Sequence, residues 1–185
     1  MKKQDFKRNS RRSLPLLMMT VLCLGLAACQ SQAPGSQAPA ILPDDSIVML
    51  PFLNRSETPL AGERAEAIAL SVLRDKGVSQ LKVYQPQPEP NGLPVLDDVR
   101  RLSDATERAI EQGMRYAIAG SVEEWRYKAG LDGEPAVGLS MRLVDLSSGE
   151  ILWSGSAARS GWSRESLSGT AHKVLEELAY RITGR

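Results

Sequence analysis

Residues 116–146 read YAIAGSVEEWRYKAGLDGEPAVGLSMRLVDL. On both sides of Asp132-Gly133 the sequence has the composition of long strands, and the dipeptide itself suits a tight turn. Strands are therefore expected over 116–127 and 136–146. With Asp132 and Gly133 as a two-residue type I′ loop, facing positions sum to 265. That register sets Glu123 opposite Arg142, Glu124 opposite Met141 and Trp125 opposite Ser140. A cross-strand Glu123–Arg142 pair would contribute about 0.2–1 kcal/mol. Alternation along a strand sends Glu123 and Glu124 to opposite faces. They could not then flank one glycosidic bond as an acid pair, and a partner would have to come from Asp132 or Asp145.

Downstream, Ser147-Ser148-Gly149 turns the chain into a further strand over 150–158. Ser163 is the expected cap of a terminal helix. Leu167, Ala171, Val174, Leu175, Leu178, Ala179 and Ile182 form its apolar stripe. Upstream, the apolar run SIVMLPF at 46–52 reads as one buried strand. Thr58-Pro59 offers a cap and a first-turn proline to a helix carrying Ala61, Ala65, Ile68, Ala69, Val72 and Leu73. Gly77 stops that helix. LKVY at 81–84 is a short strand, and the proline-rich 85–94 cannot extend it. Asp98 or Ser103 caps a second helix with Leu102, Ala105, Ala109 and Ile110 on one face. The order β-α-β-α-β-β-β-α implies an α/β (α+β) sandwich, a mixed five-stranded sheet with three helices.

The chain begins differently. Residues 1–12 hold six Lys or Arg and one Asp, and LPLLMMTVLCLGLAA follows at 14–28. A basic start, a short apolar run and small residues at its end describe a secretory signal, too short for a comfortable membrane span. Arg11-Arg12 also bears a weak likeness to a twin-arginine signal. Leu26-Ala27-Ala28-Cys29 resembles the bacterial lipobox, in which the cysteine becomes lipidated and N-terminal. Gln30, rather than Asp, follows it, which by resemblance to lipoprotein sorting favours the outer membrane. The expected organisation is a signal peptide over 1–28, lipidated Cys29 with a tether to 45, and one periplasmic domain over 46–185. The tether is rich in Gln, Ser, Ala and Pro. Stable anchoring needs more than one acyl chain, each buried CH₂ contributing about 0.8 kcal/mol.

Charge and cysteine content exclude several functions. Of 23 Lys+Arg and 22 Asp+Glu, six and one lie in residues 1–28, so the remainder carries 17 against 21, a net −4. An acidic domain argues against nucleic acid and admits a cationic partner. Cys23 leaves with the signal and Cys29 becomes the anchor, leaving no thiol for a disulfide, a nucleophile or zinc. His172 is the only histidine, and no metal set, phosphate-binding loop or nucleophile elbow accompanies it. No cofactor and no catalytic residues are expected. Arg55 and Glu57 follow the first strand, where α/β sheets often bind ligands, but an ordinary solvated connection is the preferred explanation. Trp125, Trp153 and Trp162 are expected in the core or, for a lipid-anchored domain, at a membrane or subunit surface. Trp153 is the preferred surface candidate, with Trp162 second.

Four segments carry a resemblance to a known family: PLAGERAEAIA at 59–69, GSVEEWRYK at 120–128, GLDGEPA at 130–136 and SGWSRE at 160–165. Together with the lipobox they resemble the PelC lipoproteins of Pel exopolysaccharide export. The resemblance implies an α/β domain similar to the TolB N-terminal domain and a ring of twelve subunits beneath the outer membrane. It also implies the porin PelB as partner and a cationic, partly deacetylated amino-sugar polymer as cargo. A ring of acidic domains would guide such a polymer by its field. Glu124, Asp132 and Glu134, near the hairpin tip, are the candidate polymer-facing acids. The competing reading is a periplasmic lipoprotein that activates a peptidoglycan synthase.

Overall fold

In the computed structural model, the structure describes residues 46–84, 97–130, 133–162 and 164–185. Among them the strands are β1 (Ile47–Met49), β2 (Leu53–Asn54), β3 (Leu81–Val83), β4 (Tyr116–Tyr127), β5 (Pro135–Asp145) and β6 (Ile151–Ser160). The helices are α1 (Ala61–Asp75), α2 (Asp98–Glu111) and α3 (Leu167–Thr183). The sheet runs β3-β1-β4-β5-β6, and β2 also pairs with β4. β1 and β2 lie parallel to β4, β3 lies parallel to β1, and β4, β5 and β6 form an antiparallel meander. The mixed sheet with helical cover is the expected architecture, with one strand more than the five anticipated.

The extra strand arises at Pro51. Proline lacks the N–H that a continuous ladder needs. Leu50 donates to the Ile118 carbonyl at 2.9 Å, and pairing resumes where Arg55 donates to Val122 at 2.8 Å. Between them Phe52 is fully buried, and its N–H donates to Glu66 Oε1 at 2.8 Å. The ring lies against Gly120, where a Cβ would fall 2.6 Å from Phe52 Cε2.

Three helix starts differ from expectation. α1 is entered through Leu60 at φ 60°, without a side-chain cap. Thr58 does not cap it; its hydroxyl donates to the Trp125 carbonyl instead. Asp97, not Asp98 or Ser103, caps α2, accepting from Val99 N and Arg100 N. Ser166 caps α3 by accepting from Gly169 N, and Ser163 lies outside the described residues.

The hairpin register also differs. Tyr127 pairs with Pro135, and Lys128 N donates to the Glu134 carbonyl at 2.8 Å, so the connection spans 128–134 and not two residues. Arg142 therefore faces Ala119, Met141 faces Gly120 and Ser140 faces Ser121. A bulge between Val122 and Glu124 leaves Glu123 as the extra residue. Trp125 faces Val137, and Glu124 faces Gly138.

The two faces of the sheet are covered unequally. α1 and α3 pack on one, around Ile47, Phe52, Ile118, Val122, Trp125, Leu139, Leu143 and Trp153. Burying each such large side chain contributes about 1.5–3 kcal/mol. On the other face α2 places Ala105 and Ala109 against Val48, Leu50, Ala117 and Ala119. That cluster stops at β4, and Ser154, Ser156, Ala158 and Ser160 of β6 are exposed.

Candidate functional site

The bulge in β4 decides where the two adjacent glutamates go. Val122 and Trp125 are both buried in the core. Between them, Glu123 accepts from the Ser121 hydroxyl, which also lies 2.7 Å from Ser140 Oγ. Ser121 and Ser140 belong to the half-open face, so Glu123 lies on that face beside Glu124. The expectation that strand alternation separates them fails, because a bulge repeats one side of the pleat. Arg55 Nη1 comes within 4.0 Å of Glu123, which replaces the expected Arg142 partner. Glu124 accepts from Arg126 at 2.8 Å.

Toward the tip, Glu134 meets Lys128 Nζ at 3.5 Å. Asp132 lies outside the described residues, as do Cys29 and the tether. Of the three tip acids, the two described each sit beside a cation two to six positions away. Such exposed pairs exchange partners easily, being worth about 0–1 kcal/mol.

The tryptophans divide differently from the expectation. Trp153, the preferred surface candidate, is 4 % exposed and belongs to the α1/α3 core. Gly155 admits its ring: a Cβ there would fall 2.7 Å from Trp153 Cζ2. Trp153 is therefore a core residue and not a membrane contact. Trp162 is 79 % exposed, on the turn between β6 and α3. Gly161 N donates to the Pro135 carbonyl, and the Trp162 carbonyl accepts from Glu165 N. Glu165 is held by Lys173 at 2.7 Å, which lowers its pKa. Trp162 is thus displayed next to Gly161, at the end of the sheet where Tyr127 pairs with Pro135.

A second polar cluster escaped the sequence reading. Arg101 of α2 is 6 % exposed and contacts Glu63 (3.0 Å), Asp98 (3.2 Å) and Glu66 (3.4 Å). Asp98 Oδ2 accepts from Asn54 N at 3.0 Å, as Glu66 accepts from Phe52 N. Carboxylates from two helices thus satisfy backbone donors freed where β1 gives way to β2, and Arg101 joins them. Burial raises the Glu66 pKa, only partly offset by the Phe52 N–H and Arg101. The signal was present: Arg101, Ala105 and Ala109 recur at helical spacing, whereas Ile110, assigned to the apolar face, is exposed.

Among the described residues no group of three or more His, Cys, Asp or Glu is placed to hold a metal ion. None of their helices is long and apolar enough to cross a membrane. His172 lies 3.6 Å from Glu176 on the exposed side of α3.

Comparison with solved structures adds a family. The PelC dodecamer from Paraburkholderia phytofirmans is 34 % identical over 78 % of this chain and 93 % of that one, with a TM-score of 0.64. A single-substitution variant of that dodecamer gives 35 % identity, the same coverage and a TM-score of 0.65. The chain belongs to the PelC family. No family profile and no curated protein matches it. Lipoprotein GNA1162 from Neisseria meningitidis, 23 % identical over 76 % of this chain and 99 % of that one, shares the fold at a TM-score of 0.53. For the PelC family, the features displayed by this member are the acidic bulge, the paired tip and the projecting Trp162.

Proposed function

We propose that this chain is a non-enzymatic lipoprotein of the outer membrane, anchored through Cys29 and facing the periplasm. In this reading it forms a ring of twelve copies that passes a cationic exopolysaccharide to an outer-membrane porin of the PelB kind. The observation that carries the reading is the likeness to dodecameric PelC over 93 % of that chain's length. The acidic balance of the part after residue 28 fits it. Twelve copies at −4 sum to a strongly negative assembly, and a ring concentrates that field on its axis.

Glu124, Asp132 and Glu134 are the proposed polymer-facing acids. Arg126 and Lys128, now beside two of them, are the cations that polymer ammonium groups would replace. Trp162 is the proposed membrane contact: its exposed indole suits the interfacial zone of a bilayer.

Two measurements test the proposal. The mass of the mature lipoprotein in detergent is expected to correspond to twelve copies, and a monomer at all concentrations overturns it. Binding of a partly deacetylated amino-sugar polymer is expected to weaken steeply as salt rises. A salt-independent interaction would remove electrostatic guidance while leaving the ring. Activation of a peptidoglycan synthase by the purified monomer would favour the other reading.

A further inference from the structure

We propose that the open half of the sheet is a head-to-tail seam, and that its occupant is α3 of a second copy. This rests on the ring proposed above. Copies anchored in one membrane must all point the same way, so their ring is cyclic and its interfaces are heterologous. For twelve copies each turns by about 30° relative to the next, so one side of a subunit meets nearly the opposite side of its neighbour.

The fold supplies such a pair of sides. On one face α1 and α3 form a helical layer, with α3 packed on β5 and β6. On the other face α2 lies over β1 and β4, and β5 and β6 carry no helix among the described residues. The side directly opposite the uncovered strands is therefore the outer side of α3. A neighbour's α3 set there would lie beside α2 and complete a two-helix layer on both faces, the arrangement by which such sheets are normally closed. The floor it would meet is smooth, Ser140, Ser154 and Ser156, and it stops short of Gly138, over which Glu124 lies. β5 and β6 are 11 and 10 residues long, about 33–36 Å, and the 17 residues of α3 rise about 25 Å, so the helix fits within their length.

Charge points the same way. Arg142 rises from this floor between Ala119 and Ser154, half-buried, with no carboxylate in ion-pair contact among the described residues. The outer side of α3 presents Glu176, whose partner His172 is charged only when protonated, and Tyr180, 59 % exposed. The seam would pair Arg142 with Glu176 of the next copy and seat the Tyr180 ring on the small residues of β6.

The test measures the mass of the mature lipoprotein in detergent across a dilution series. Ser156→Arg, which crowds the floor without touching the core, is expected to give monomers or short open oligomers. Arg142→Glu and Glu176→Arg should each raise the dissociation concentration by about 30-fold or more, as for broken interfacial charge pairs. The double variant Arg142→Glu/Glu176→Arg should recover most of that loss. Circular dichroism of each variant separates loss of assembly from loss of fold. A wild-type monomer overturns the ring itself. A wild-type ring that Ser156→Arg leaves intact, or single charge reversals that the double variant does not rescue, overturns only the seam.

Discussion

The two faces of the sheet solve the same problem with different residues. The face under α1 and α3 is packed with large apolar side chains, Trp125, Trp153, Phe52 and Leu139 among them. The face that α2 half covers uses alanines beneath the helix and serines, glycine and charges beyond it. The first face explains stability, and the second is where this molecule has surface to offer. The difference teaches that a core assignment and a functional assignment can be exchanged by one bulge. Glu124 reaches the serine face, and Trp125 the core, only because the pleat slips between Val122 and Glu124.

Trp125→Ala should break the covered face. The side chain is 1 % exposed, and its removal leaves a large cavity, costing about 3–5 kcal/mol. Urea unfolding of the variant measures it; a loss under about 1 kcal/mol would mean the face is far more loosely packed than described.

Arg101→Ala comes next and lies on the other face, at the β1–β2 break. It leaves Glu63, Glu66 and Asp98 without their shared cation in a partly buried site. The expected loss is about 3 kcal/mol, as for other broken buried pairs. Arg101→Ala/Glu66→Gln should recover part of it, because one of the stranded charges is gone. Additive losses in the double variant would show that the cluster is not coupled.

Gly120→Ala is expected to cost less, about 1–3 kcal/mol by overpacking, because the new methyl meets the Phe52 ring. Phe52→Leu in the same chain should relieve part of the strain. This pair tests whether the β1–β2 break is held by packing as well as by the Arg101 cluster.

How much of this was legible follows from the same contrast. The order of strands and helices was readable because periodicity reports burial, and the helical stripes of α1 and α3 are unbroken. The Pro51 break was visible in principle, since proline lacks a ladder donor, but the apolar run SIVMLPF masks it. The register was not readable from Asp132-Gly133. The dipeptide matches a two-residue turn, whereas the chain closes through Tyr127 and Pro135. Arg142 accordingly faces Ala119 and not Glu123. The core position of Trp153 is hidden for a related reason. An edge strand appears surface-bound in sequence, yet α3 covers its inward face and Gly155 clears space for the indole. Arg101 was hidden because an arginine on an apolar stripe is read as a boundary, not as a centre.

The smallest expected effect concerns the turn that joins β5 to β6. Asp145 accepts from both the hydroxyl and the N–H of Ser147, and these bonds lower its pKa. A carboxylate whose folded pKa is depressed favours the folded state above its unfolded value and loses that contribution as pH falls through the folded pKa. Glu66 has the opposite sign. Its raised folded pKa means that stability is lost as pH rises from about 4.5 through the folded value. Ser147→Ala should therefore lower stability slightly at neutral pH and converge with the wild type in acid. Glu66→Gln should instead gain on the wild type as pH rises toward neutral. Thermal unfolding of the three proteins between pH 3 and 7 separates the two slopes. Parallel curves for Ser147→Ala and wild type would show that the turn does not hold Asp145 ionised. A Glu66→Gln curve parallel to wild type would show that the cluster beside Phe52 is wetter than its burial implies.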